Sequence, residues 1–368
     1  MSTLDDLQRY LDNPLPANVA ERSLLSGSMG ESPSKYSRSP AMWNAAFRDI
    51  GLDAVHMPFD VRPENLAAFV EAARAYPGFM GSNVTVPHKL AIMPLLDEID
   101  PMAREIGAVN TFMQTEDGKL VGFNTDADGL VASMLRTLPG QPAPFLPTLT
   151  GKRVLLLGAG GAGRASAFAL AKEVGDGSVL LTNRSLERAE ELAQQAAVAT
   201  GARVSATSQE FALDSVWSMD VIVNASTVGQ SGVRRLGNGE ATSLEAFSSL
   251  APAAPAVVPE DGDGASFWRE WFKRSQGAIA ENNARSAAAI AMCKADAAFV
   301  DAVYSPDETV LLRQARLSGR KTLNGKGMLV MQAAFSFVNR MTRRHLQAAG
   351  HDPDALYDRV VEVMAAGF

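Results

Sequence analysis

Lys89 and Asp126 are the residues whose types and surroundings point most directly to proton transfer. Lys89 ends the run Asn83-Val84-Thr85-Val86-Pro87-His88-Lys89, and Asp126 lies in Asn124-Thr125-Asp126-Ala127-Asp128-Gly129. A lysine is cationic at neutral pH. Beside a carbonyl under reduction it can stabilise and protonate the developing alkoxide. Three further motifs accompany the pair: Ser37-Arg38-Ser39-Pro40, Gly107-Ala108-Val109-Asn110-Thr111, and Gly158-Ala159-Gly160-Gly161-Ala162-Gly163. The last is a nucleotide-binding pattern. The others supply polar groups suited to a small hydroxylated acid.

The elements that position these residues alternate between strand and helix, which is the α/β signature. Residues 1–22 read as an amphipathic helix interrupted at Pro14 and Pro16, and Pro40 to Phe47 as a helix. Ala54 to Phe59 reads as a strand, Pro63 to Ala75 as a helix, Phe79 to Val86 as a strand, and a helix starts near Lys89. Val109 to Gln114 and Lys119 to Asn124 read as two strands about Asp117-Gly118, a two-residue hairpin signal. With that turn, Asn110 faces Thr125, so Asn110 and Asp126 share the open end of the hairpin. Ser37 and Ser39 flank Arg38, so an extended loop turns both hydroxyls the same way. Pro40 favours that extended form for Ser39, yet Ser39 is also a good helix cap before Pro40. Asp126 can equally make an Asx turn or cap the helix Leu130 to Leu135.

A proline-rich linker at 139–147 leads to a second α/β run. Val154 to Leu157 is a short buried strand, followed by the glycine motif and a helix, Ala162 to Lys172. That strand–turn–helix context makes the motif meaningful. Gly158, Gly160, Gly161, Ala162 and Gly163 let the backbone approach a pyrophosphate at a helix N-terminus. The next strand, Ser178 to Leu181, leads into Asn183, Arg184 and Ser185, with Arg188 one turn into the helix Leu186 to Ala199. An NAD site usually offers an acid there. Two arginines and a hydroxyl suit a 2′-phosphate instead, so the cofactor expected is NADP. Arg188 can also pair with Glu187 or Glu191 on a solvated face. Val221 to Asn224 is a further strand. Residues 230–265 read as a loop or disordered insertion and 266–298 as an alanine-rich helix. Phe299 to Val303 reads as a strand, Glu308 to Gly319 as a helix, and Met328 to Ala348 as one long helix before a short closing one.

Composition limits the partners. The 368 residues are 46% hydrophobic and 20% charged, with a net charge of −7 and no dense basic block. This argues against nucleic acid or an anionic membrane. No apolar stretch reaches the ~20 residues of a membrane span. The amino terminus lacks the pattern of a signal peptide, and a single cysteine, Cys293, fits the reducing cytoplasm. The four histidines, His56, His88, His345 and His351, lack metal-ligand spacing, so no metal is expected.

Together these motifs resemble the shikimate/quinate dehydrogenase family. The resemblance covers about residues 24–229 and 299–345. It implies two α/β domains with a cleft between them. Residues 1–138, completed by 325–368, form the substrate-binding domain. Residues 139–324 form a Rossmann-type NADP-binding domain with an insertion at about 230–298. It implies a Lys89–Asp126 pair that holds substrate hydroxyls and shares proton handling. Ser37 and Ser39 are assigned to the substrate carboxylate, Thr85 and Asn110 to ring hydroxyls, and Tyr304 and Gln332 to the carboxylate and ring. Tyr304 also reads as a buried strand-end tyrosine, and Gln332 as a polar spot on a helix. Asn224, Ser226 and Met328 are assigned to the nicotinamide, although a methionine there is most simply core. The implied activity is NADP-dependent, reversible reduction of 3-dehydroshikimate to shikimate, by a monomer or homodimer. Quinate or a related cyclic hydroxy acid is the alternative substrate, and a non-catalytic NADP-binding regulator a remote alternative. The chain departs from the family at residues 1–22, in the long stretch between Gly229 and Phe299, and at Gln230 and Ala333, where the family has Met and Gly.

Overall fold

The computed structural model describes residues 3–236, 238–259 and 264–368. It divides into two compact units, residues 1–144 with 327–368, and residues 145–326. The first is built on a six-stranded sheet of β1 (Leu24–Gly30), β2 (Ala54–Asp60), β3 (Phe79–Val84), β4 (Glu98–Ile99), β5 (Thr111–Gln114) and β6 (Leu120–Phe123). Their order is β2-β1-β3-β5-β6-β4. The β2-β1-β3 part is parallel, and β5 runs antiparallel to both β3 and β6.

Strand β1 is absent from the sequence reading, yet it is central. Its Ser-Gly-Ser-Met-Gly composition looks like a turn, because Gly and Ser lower strand propensity. Pairing with β2 on one side and β3 on the other makes it a strand, and a Cβ on Gly27 would collide with the ring of Phe59, so glycine leaves that ring its place over β1. The amino-terminal segment also differs from expectation. Its helix spans only Leu4–Gln8, closed by a Thr3–Asp6 capping box, and a 3-10 turn follows at Ala17–Glu21. Leu7, Leu11 and Val19 nevertheless join the core around Phe59, Phe69 and Phe79.

The β5–β6 hairpin is shifted by one residue from the expected register. Thr111 pairs with Phe123 and Gln114 with Leu120. The loop has three residues, Glu116 to Gly118, closed by Thr115 N–H donating to the Lys119 carbonyl, with Gly118 at φ +85°. A three-residue loop ending in a left-handed glycine is the other common way to close a hairpin. The expected long carboxy-terminal helix is likewise broken, into Gly325–Ser336, a π turn at Phe337–Met341 and Arg343–Ala348.

The second unit carries β7 (Arg153–Leu157), β8 (Ser178–Thr182), β9 (Val204–Thr207), β10 (Val221–Asn224), β11 (Arg234–Arg235), β12 (Glu240–Thr242), β13 (Val258–Pro259), β14 (Ala298–Asp301) and β15 (Lys321–Leu323). Its main sheet is parallel throughout, in the order β15-β14-β10-β7-β8-β9. This is the Rossmann order, in which the strand order reverses between β7 and β10. Buried apolar runs such as Val154 to Leu157 are what a sheet covered on both faces requires.

The expectation of a loop or disorder at 230–265 is overturned across the described residues. Strands β11, β12 and β13 form a small antiparallel sheet. Ala241, Phe247 and Val258 pack on Phe267 and Trp271 of the 29-residue helix Gly264–Met292. That helix buries Phe267, Trp271, Ser275, Asn282, Ser286 and Ile290. Its polar members stitch the segment down: Asn282 accepts from Ser248 N–H and donates to the Ser248 and Ala251 carbonyls. The strands have two or three residues each, too few to show an alternating pattern in the sequence.

Candidate active site

In the first unit, Lys89 and Asp126 meet. Lys89 follows the turn after β3, in the short helix His88–Ala91, and Asp126 is the first residue of the helix Asp126–Leu135. Lys89 Nζ lies 2.5 Å from Asp126 Oδ2. Their side chains are 16% and 4% exposed, so the pair is sheltered but reachable from the lysine side. Asp126 neither caps its helix nor makes an Asx turn. Thr125 occupies the cap position, and Asn124 Oδ1 accepts from Asp126 N–H at 3.1 Å. The carboxylate therefore sits in the first helical turn, where free N–H groups favour negative charge.

Asn110 ties the cluster together. Its Nδ2 donates toward Asp126 Oδ1 at 2.9 Å, Gln332 Oε1 at 3.0 Å and Thr125 Oγ1 at 3.1 Å. Its Oδ1 accepts from Thr125 N–H at 2.8 Å. The open end of the hairpin thus does bring Asn110 to Asp126, although the register that was expected to do so is off by one. Gln332 arrives from the helix Gly325–Ser336, more than two hundred residues away in the chain. A second chain of polar groups, absent from the sequence reading, links Ser336 to Thr111 and Thr111 Oγ1 to Asn83 Oδ1. Asn83 lies in the motif that ends at Lys89, and a polar residue at a strand end was its only sequence signal.

Ser37 and Ser39 depart from an extended loop. Arg38 between them is helical, at φ −89° and ψ −13°, and it occupies the N-cap position of the helix Ser39–Ile50. Ser39 is inside the first turn, and Ser37 Oγ accepts its N–H at 3.3 Å. Helix formation on Pro40 overrides the extended preference of the residue before a proline. Thr85 lies against Gly30, whose missing Cβ leaves room for the Thr85 methyl. Met328 is buried, and its carbonyl packs against Gly129.

In the second unit, the glycine motif makes the turn between β7 and the helix Gly161–Glu173, with Gly160 as N-cap. Gly158 has φ +107°, and a Cβ on it would lie 2.9 Å from Ser226. A Cβ on Gly163 would strike the Gly158 carbonyl, whereas one on Gly160 meets nothing within 4 Å. Gly160 is therefore open toward a cavity of about 440 Å³. Asn183, Arg184, Ser185, Arg188 and Ser226 line the same cavity. Asn183 Oδ1 accepts from Ala159 N–H, and Ser185 caps the helix Leu186–Thr200 through Arg188 N–H. Among the described residues, neither Arg184 nor Arg188 has an ion-pair partner; Glu187 bonds Ser185 instead. A glycine cradle with a free position and unpaired arginines fits a phosphorylated dinucleotide.

Asn224 is fully buried, and its amide is fully used. Nδ2 donates to Asp301 Oδ1 at 2.8 Å and to the Val228 carbonyl, while Oδ1 accepts from Ser226 N–H and Oγ. Asn224 thus shapes the turn that presents Ser226. Asp301 also accepts from Thr309 Oγ1 at 2.7 Å and Val303 N–H at 2.9 Å. Burial pushes its carboxyl up to about 7. Tyr304 follows β14 and is half-buried. Among the described residues, no cluster of His, Cys, Asp and Glu could hold a metal, and no helix is long and apolar enough to cross a membrane.

Residues 30–112 match the family model described as shikimate dehydrogenase substrate binding domain. Residues 143–242 match the one described as shikimate / quinate 5-dehydrogenase. A shikimate dehydrogenase (NADP(+)) of Methanocaldococcus jannaschii is 36% identical over 309 residues, 83% of this chain and 87% of its own. A crystal structure of a shikimate dehydrogenase in complex with NADP+ is 33% identical, covers 96% of this chain and 98% of its own, and has a TM-score of 0.65. Quinate dehydrogenase from Corynebacterium glutamicum in complex with NAD is 26% identical, with 94% and 99% covered and a TM-score of 0.65. From its identity to these proteins over most of its length, the chain belongs to the shikimate dehydrogenase family.

Proposed function

We propose that this protein is an NADP-dependent oxidoreductase that reversibly reduces 3-dehydroshikimate to shikimate. The observation that carries the reading is the sheltered Lys89–Asp126 pair, held by Asn110, which also bonds Gln332. NADPH, when bound, supplies the hydride. Lys89 has one of its three N–H groups on Asp126, so two remain for the substrate oxygen. As the carbonyl becomes an alcohol, the ammonium of Lys89 gives its proton to that oxygen. The neutral amine then regains a proton from solvent. Asp126 keeps the lysine aimed, and its sheltered carboxylate also accepts from a ring hydroxyl. Asn110 holds Asp126 by donating to its Oδ1 and also donates to Gln332 Oε1, which leaves the Gln332 amide N–H groups for substrate. Ser37 and Ser39, before and at the start of the helix Ser39–Ile50, present their hydroxyls to the substrate carboxylate, and Thr85 serves a ring hydroxyl. Ser226 is offered to the nicotinamide, with Asn224 as the positioning residue that shapes its turn; Tyr304 is assigned to substrate and Met328 to the nicotinamide.

Arg184 and Arg188 account for the choice of NADP, because a 2′-phosphate pairs with the charges they leave uncompensated. The test is absorbance of reduced nicotinamide with shikimate or quinate, each with NADP or NAD. Rapid reduction of NADP by shikimate alone is expected. Turnover of quinate, or preference for NAD, would replace this reading with a quinate dehydrogenase-like one. No reaction in any mixture would point to another ring substrate or to the regulator.

A further inference from the structure

The segment between β10 and β14 does more than lengthen the chain, because it forms a wall of the dinucleotide cavity. Arg234 of β11, with Leu236, Thr242, Leu244 and Ser249, lines the same cavity as Gly158, Arg184 and Arg188. Arg234 is anchored by Nη1 to Thr227 Oγ1 at 2.7 Å, and by Nη2 to the Thr227 carbonyl at 2.8 Å and Gln230 Oε1 at 3.3 Å. Its Nε–H and one Nη1–H have no protein partner among the described residues. Among the described residues no carboxylate lines the cavity, so its three arginines lack a counter-ion from them. Two buried hydroxyls that line it, Thr182 Oγ1 and Ser249 Oγ, also have no hydrogen-bond partner among the described residues. They are 4% and 6% exposed and come from different walls, β8 and the inserted segment. Buried polar groups are rarely left unpaired. A ligand rich in oxygen acceptors would satisfy both hydroxyls and the free guanidinium edge.

Strand order decides which phosphate Arg234 meets. Arg184 and Arg188 follow β8, on one side of β7, whereas Thr227, the anchor of Arg234, follows β10 on the other. Neighbouring strands lie about 4.8 Å apart, so these cations flank the glycine turn from opposite sides. The β8 side is that of the adenosine ribose, and the turn itself that of the pyrophosphate. We propose that Arg234, carried by the inserted segment, pairs with the cofactor pyrophosphate, so that this segment is a built-in cover of the dinucleotide site. The proposal rests on the NADP reading above.

The test is calorimetric titration of NADP and of NAD into the wild type, Arg234→Gln and Arg184→Gln. Arg234→Gln should weaken both dinucleotides by a similar factor, about 10- to 100-fold, as for one lost hydrogen bond to a charged group. Arg184→Gln should weaken NADP alone. Unchanged affinity of Arg234→Gln for both, or a loss for NADP only, overturns the proposal. If the wild type binds neither dinucleotide, the NADP reading fails instead. A measurement on the wild type covers the case in which the variant folds poorly. Phenylglyoxal modification of Arg234, mapped by mass spectrometry, should be slowed by NADP and by sodium pyrophosphate. Modification at the same rate with and without them overturns the proposal.

Discussion

Lys89→Met separates the chemical role of the lysine from its structural one. Removing the cation leaves Asp126, 4% exposed, with its hydrogen bond from Asn110 and its place in a first helical turn. Breaking a buried ion pair from one side costs about 3–5 kcal/mol. The helix terminus returns about 0.3–1 kcal/mol, so a loss near the lower end, about 3 kcal/mol, is expected in urea denaturation. Turnover should fall about 10²- to 10⁴-fold, the usual contribution of a positioned acid. NADP affinity should hold, because the glycine motif and Arg184 lie in the other unit. The double variant Lys89→Met/Asp126→Asn removes the stranded charge as well. It should recover much of the stability and none of the activity, the non-additive outcome expected of touching residues. Turnover of Lys89→Met within about 10-fold of wild type would refute the proton-transfer argument. A double variant no more stable than Lys89→Met would refute the electrostatic one.

Gly160→Ala should leave thermal stability unchanged while weakening NADP, since its Cβ would enter only the open cavity; Gly163→Ala should lower the melting temperature, since its Cβ would strike the Gly158 carbonyl. Equal effects on melting would show that the two glycines do not have separate roles. Burial raises the Asp301 carboxyl from 3.8 to about 7. Its protonated form therefore favours folding, and that stability is full below about pH 4 and lost as pH rises through about 7, on the order of 4 kcal/mol in all. Denaturation at about pH 5 and about pH 8 should show this loss in the wild type and not in Asp301→Asn; parallel profiles would contradict it. Asn282→Ala leaves a buried Ser248 N–H and the Ser248 and Ala251 carbonyls unpaired. A loss of about 3 kcal/mol or more is expected, at about 1–3 kcal/mol per stranded group, and a loss below about 1 kcal/mol would show that water replaces the side chain.

Much of the α/β organisation was legible in the sequence, because its signals are local. The apolar run Val154 to Leu157, a glycine turn and a helix start lie within ten residues of one another, and they need no distant partner to be recognised. The absence of an acid after β8 was equally local, and it pointed to NADP. The departures came where distant packing overrides local preference. Pairing with β2 and β3 makes β1 a strand, with Gly27 leaving room for the Phe59 ring, and Pro40 draws Ser39 into a helix that its neighbour preference disfavours. The hairpin signal at Asp117-Gly118 did not distinguish a two-residue from a three-residue loop, which differ by one residue of register. The sequence by itself determined which side chains could do the chemistry and the local elements that carry most of them. Only the tertiary structure decided that Gln332 meets Asn110, that Asn224 turns inward to Asp301, and that the segment after β10 places Arg234 on the cavity lined by the glycine motif. The physical reason is that hydrogen-bond saturation and cavity walls depend on residues far apart in the chain, brought within a few ångströms only when the sheets and helices pack.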